Sequence, residues 1–164
     1  MKAVASSDRF KVLDACHQQI HQNLATLAEL LPKLEAGADD SQFRSQVAAV
    51  EAFFSGTSRQ HHQEEEKNVF PNLLLSSDQE LVQAVQTLQQ DHNWIELNWS
   101  ELSPMLRAIS LGEDWVDLAE LSHGIEVFLN LCHDHIVLEE TLIYPQARAQ
   151  LAVEMAGRAL RMAQ

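Results

Sequence analysis

Residues 61–71 read HHQEEEKNVFP and residues 135–145 read HIVLEETLIYP. In both stretches a histidine is followed four residues later by a glutamate, a second glutamate stands beside the first, and a proline lies ten residues after the histidine. On a helix, the four-residue step puts imidazole and carboxylate one turn apart on one face, aimed at a common point. Counting back from the proline pairs His61, not His62, with His135. His62 is read as a surface residue or a support behind the site.

The likeness extends upstream of each stretch. His17, Ile20, Asn23 and Leu27 match His92, Ile95, Asn98 and Leu102, and Phe70 is answered by Tyr144. The chain therefore reads as one helical hairpin used twice, each copy carrying a lone histidine and a His-x-x-x-Glu pair.

Apolar residues recur at three- and four-residue steps through most of the chain, the signature of amphipathic helices. Leu13, Ile20, Leu24, Leu27 and Leu31 mark a first helix over 7–34, with His17 in the stripe and His21 at its edge. After the EAGADDS loop, with Asp40 or Ser41 as N-cap, Val47, Val50, Phe54 and Val69 mark a second helix over 41–70, which Pro71 ends or kinks. On it His61 and Glu65 face inward, while Glu64 and Glu66 point away. The third helix, 77–110, carries Leu81, Val85, Leu88, Ile95, Trp99, Leu102 and Leu106 with His92 at the centre, and Pro104 predicts a bend. The fourth follows the turn at 111–114 and runs to about 144, with Leu121, Ile125, Phe128 and Cys132 inward and His135 and Glu139 continuing the stripe. The tail suits a short extra helix through Leu151, Met155 and Leu160.

The expectation is an all-α chain of one domain over 1–164, with its core over about 10–146. Short loops between long helices predict an antiparallel up-down-up-down four-helix bundle with a short C-terminal extra helix. Scarce glycine and proline (5 and 4 of 164 residues) fit that reading. The net charge of −13 would repel nucleic acid or an anionic membrane. No stretch approaches the roughly 20 apolar residues of a membrane span, and the start resembles no signal peptide, so a cytoplasmic protein is expected. Cys16 and Cys132 are read as ordinary thiols of a reducing compartment.

One histidine on an apolar face is ordinarily a hydrogen-bonded core residue. Four helices each placing one inward, with two glutamates beside them, need another account. An unpaired buried carboxylate costs several kcal/mol, and no Lys or Arg shares these stripes. The positive charge must come from imidazolium or from metal, and metal satisfies His17, His61, Glu65, His92, His135 and Glu139 together. Mixed imidazole and carboxylate donors suit iron, manganese or zinc. Six donors around two possible bridges imply two ions. A ferritin-like centre would need Glu-x-x-His pairs on two matching helices, which are absent.

At these residues the chain resembles the hemerythrin family, the HHE cation-binding domain, in its H, HxxxE, H, HxxxE form. The resemblance covers roughly residues 10–146. It implies a non-haem di-iron centre bridged by two carboxylates and an oxo or hydroxo group, with four terminal imidazoles (His17, His61, His92, His135) and bridging Glu65 and Glu139. Oxygen-carrying members have a further histidine where this chain has Glu96, and typically an aspartate at a longer spacing where it has Glu139. The duplication maps Glu96 onto His21, so each is an additional candidate ligand or a support for one. Glu66 and Glu140 are read as outward. Tyr144 is read as packing near the bundle end, with a redox-active or hydrogen-bonding role beside the site as the alternative. The function expected is binding of, or reaction with, dioxygen, nitric oxide or peroxide, with electrons from a donor protein. Alternatives are a peroxidase- or catalase-like oxidoreductase and an iron or oxygen sensor acting through a separate partner.

Overall fold

The computed structural model describes the backbone of residues 2–163 and side chains from residue 9 onward; all regular structure among them is helical. Helix α1 spans Lys2–Glu35, α2 Ser41–Ser55, α3 Thr57–Asn68, α4 Phe70–Leu74, α5 Gln79–Ser110 and α6 Leu118–Leu138. A π-helical turn, Glu139–Ile143, joins α6 to α7, Tyr144–Ala163. No described helix is long and apolar enough to cross a membrane.

Three helices start where an aspartate can satisfy free amides of the first turn. Asp40 accepts from the Phe43 N–H at 2.8 Å, Asp78 from Glu80 and Leu81, and Asp117 from Ala119 and Glu120. The turn after α5 is closed by Gly112 at φ +75°, a conformation glycine adopts without Cβ strain.

The expected second helix is not one straight rod. Gly56, at φ −116° and ψ −81°, separates α2 from α3, although its N–H still reaches the Ala52 carbonyl. The bend falls at the residue with the least side-chain resistance to it. A second interruption comes at Val69, just before Pro71. Helix α5, by contrast, runs through Pro104.

The helices pack as a closed circuit: α1 against α2 and α6, and α5 against α2 and α6. Two apolar clusters result. One joins Ile20–Leu34 of α1, Phe43–Phe54 of α2, Ile95–Leu106 of α5 and Leu121–Ile136 of α6. The other joins Leu13, Val69, Phe70, Leu73, Leu81, Leu88, Ile143 and Tyr144. Between them, α1, α3, α5, α6 and the π turn carry a layer of buried histidine and glutamate. The lower end of the α1 stripe is rotated slightly from expectation, with Leu30 and Leu34 buried and Leu31 only half-buried. The tail helix is longer than expected, and only Tyr144 and Ala147 of it are buried.

Phe128 sits edge-on to Phe54 at 5.0 Å and tilted against Trp99 at 4.9 Å, at the heart of the first cluster. Replacing it with alanine is expected to lower unfolding stability by about 3–5 kcal/mol, read as a shift of the urea midpoint with unchanged slope.

Candidate metal centre

The buried layer gathers two groups of donors. In one, donor atoms of His17, His61, Glu65 and Glu139 all lie within 4.8 Å of one another; in the other, those of His62, Glu65, His92 and His135 do. All seven residues are buried, and Glu65 belongs to both groups. All six sequence-predicted ligands are thus brought together. The seventh, His62, was read as a surface residue or a support from behind; instead it is 8% exposed, with its ring stacked on His92 at 4.1 Å. Proline alignment could not find it, because its counterpart in the second copy is Ile136, an apolar residue.

Glu139 points one oxygen at each side. Its Oε2 is 2.8 Å from His17 Nε2, while its Oε1 abuts His135 Nε2 and lies 3.7 Å from His92 Nε2. Glu65 Oε1 is 3.1 Å from His61 Nε2 and 3.6 Å from His92 Nε2. Despite these distances, Glu65 Oε1 and both Glu139 oxygens lack an aligned hydrogen-bond donor. Buried polar atoms are ordinarily satisfied. Three orphaned carboxylate oxygens among converging imidazole nitrogens are the arrangement a cation completes, and the donor chemistry fits one.

The far ring nitrogens have partners of their own. His17 Nδ1 is 3.1 Å from Glu140 and His92 Nδ1 is 3.1 Å from Glu66. Each copy's second glutamate, exposed as expected, therefore orients the lone histidine of the other copy. Carboxylates in this position fix ring orientation and raise imidazole basicity. Asp91 stands 3.6 Å from His135 Nδ1, and Cys16 occupies the equivalent place beside His61. Neither His21 nor Glu96 enters a donor group. His21 is exposed and bonds Glu140 at 2.8 Å, and Glu96 bonds Arg59 at 2.9 Å while lying 3.5 Å from His62 Nδ1.

Of the two expectations for Tyr144, packing near the bundle end and hydrogen bonding beside the site, the structure shows the second. Five residues of ordinary α-helix would rotate Tyr144 roughly 140° from Glu139. The π turn cancels most of that rotation: Tyr144 N–H reaches back five residues to the Glu139 carbonyl, and the phenol enters the centre. Its hydroxyl donates to Glu65 Oε2 at 3.0 Å and lies 3.0 Å from His17 Nε2 and 3.4 Å from His61 Nε2. Pro145, which lacks an N–H and crowds the carbonyl four residues back, gives the turn a physical cause.

Against the centre lies a cavity of about 10 Å³, room for about one water. Its walls are mostly apolar, including Ile20, Phe54, Ile95, Cys132 and Ile136, and its floor includes His17, His61, His62, His135 and Glu139.

A family model described as the hemerythrin HHE cation-binding domain matches residues 8–147. The chain belongs to that family. This hemerythrin-domain chain is also 27% identical over 136 residues to an uncharacterized protein of Haemophilus influenzae, a match covering 83% of this chain and 77% of that protein.

Without a cation, protons take its place. Burial favours neutral imidazole, yet Glu139 and Glu65 hold His92 protonated up to about 10. Cys16 and Glu65 do the same for His61, also to about 10. Glu139 and Asp91 hold His135 to about 9. Burial likewise opposes ionisation of Glu139, but His135 holds its carboxyl well below the ordinary range. In His62, burial prevails and lowers the pKa, favouring the neutral form a metal needs.

Raised imidazole pKa values stabilise the fold below the unfolded value of about 6.5, and that stabilisation disappears as pH rises through the folded values. The lowered values of Glu139 and His62 act oppositely, and their contribution disappears on acidification. The melting temperature of the metal-free protein is therefore expected to fall as pH rises from about 6.5 to about 10, and again below about pH 6, read by calorimetry across pH. Loading with zinc near neutrality should release protons, measured as a buffer-dependent binding enthalpy. Because Glu65 belongs to both groups, Glu65→Ala should weaken uptake of both ions, whereas His62→Ala should weaken one, read by metal analysis.

Proposed function

We propose that this chain is a cytoplasmic di-iron protein of antiparallel four-helix form that binds, and exchanges electrons with, a small ligand such as dioxygen, nitric oxide or peroxide. One iron would be held by His17, His61, Glu65 and Glu139, and the other by His62, His92 and His135 with Glu65; Glu139 Oε1 also faces that second position. Imidazole and carboxylate together suit iron, which supplies one-electron chemistry when bound.

The observation that carries the reading is the cavity. It is the size of one water, it touches five of the donors, and its other walls are mainly hydrocarbon. Such a space takes one water-sized group, the end of a diatomic or peroxide ligand bound end-on, and has no room for an organic substrate. The apolar walls exclude bulk water, which would otherwise compete for the position and hydrolyse or protonate what is bound there. Two unpaired thiols, Cys16 and Cys132, agree with a reducing compartment. The exposed acidic surface suits docking of a basic electron-donor protein.

The test is metal analysis followed by anaerobic titration of the reduced protein with dioxygen, nitric oxide and hydrogen peroxide under absorption spectroscopy. Two irons per chain and a spectral response to at least one ligand are expected. Ile20→Phe, which fills the cavity, should weaken or slow that response tenfold or more with iron content unchanged. An iron spectrum indifferent to all three ligands would refute the reading. Repeated turnover of peroxide, lost in His61→Ala, would assign catalysis; a single stoichiometric reaction would assign binding.

A further inference from the structure

Duplication made Glu65 and Glu139 equivalent, yet they are held in different ways. Glu139 directs Oε2 to His17 and Oε1 to His135 and His92, one oxygen to each donor group. Glu65 turns the same oxygen, Oε1, to both His61 and His92. Its Oε2 is occupied by the Tyr144 hydroxyl at 3.0 Å. Of the four carboxylate oxygens, three are orphaned and this one is not.

The cause lies at the residue five positions after each glutamate. Tyr144 follows Glu139 and Phe70 follows Glu65, and both are fully buried. Each ring lies against a lone histidine: Tyr144 against His17 at 4.7 Å between centroids, and Phe70 against His92 at 5.6 Å. The ring positions are therefore alike, but only tyrosine carries a donor. Its hydroxyl also stands near His17 Nε2 and His61 Nε2. Those are the ring nitrogens turned toward the centre, so once they hold a cation their lone pairs are committed. Glu65 Oε2 is then the acceptor that remains.

We propose that Tyr144 is a positioning residue that restricts Glu65 to sharing one oxygen between the two cation positions, while Glu139, opposite the donorless Phe70, gives one oxygen to each. The inference rests on the two-cation reading above. Cations bound there would meet unlike carboxylates, one oxygen of Glu65 offered to both positions and one oxygen of Glu139 to each. The distinction is tied to a single hydroxyl group.

The phenol can be removed with little danger to the fold, because phenylalanine already fills the duplicate position. The probe is zinc, which binds without redox chemistry and needs no small ligand. Difference infrared spectra of ¹³C-glutamate-labelled protein, metal-free against zinc-loaded, report the carboxylates that gain a cation. Two classes of carboxylate band are expected in the unsubstituted chain, converging toward one in Tyr144→Phe. In that variant the zinc–zinc distance from X-ray absorption should lengthen, and affinity for the second ion should change about tenfold. Phe70→Tyr should shift the Glu139 bands toward the one-oxygen class. Two bound zinc ions with bands and spacing indifferent to Tyr144→Phe would overturn the inference and leave the two-cation reading standing. Fewer than two ions in the unsubstituted chain would overturn both.

Discussion

Two buried carboxyl groups sit in the middle of this bundle, and among the described residues the groups that could balance their charge are histidines. The rest of the molecule can be derived from that constraint. A carboxylate out of water needs a compensating charge close by, and a lysine or arginine would supply it permanently. Imidazole supplies it conditionally, as a proton carrier when the site is empty and as a neutral donor when a cation enters. The same side chains can therefore stabilise two states of the core. Well-packed aliphatic residues in place of a buried ion pair are often neutral or stabilising, so the stability of the empty core does not account for the polar layer. Its position between two complete apolar clusters limits the cost of burying it, because neither cluster depends on the layer to exclude water.

Duplication explains how such a layer is built from few parts. One hairpin carrying a lone histidine and a His-x-x-x-Glu-Glu run yields half a centre, and its second copy yields the rest. The second glutamate of each run reaches the lone histidine of the other copy, at 3.1 Å in both cases. The two hairpins are thereby tied through the site as well as through their cores. Later divergence sits in a few substitutions: His62 against Ile136, Cys16 against Asp91, Tyr144 against Phe70.

Much of this was legible in the sequence because helical periodicity and the repeat report the same geometry independently. The all-helical class, the loop after residue 35, the turn opening at Leu111, the Asp40 cap and the inward six residues follow from spacing and local composition. What spacing could not show depends on departures from regular helix. The Gly56 kink rotates α3 relative to α2, and His62, one residue from the predicted ligand, turns inward with His61. The contact of Glu66 and Glu140 with histidines across the bundle depends on side-chain reach and not on facing. Exposure was read correctly there, and function was missed.

Tyr144 shows the limit most clearly. At 100° per residue it belongs to a different face from Glu139, and any reading from a helical wheel removes it from the site. Pro145 changes the wheel. With no N–H to give and a ring that crowds the preceding turn, it leaves the chain two solutions, to break the helix or to widen it. The first copy breaks at Val69 and restarts; the second widens through Glu139–Ile143 and continues. Both solutions bring the aromatic residue before the proline down onto the histidine layer. The conserved element of the repeat is therefore the backbone interruption that the proline enforces, and the chemistry delivered depends on which aromatic residue precedes it.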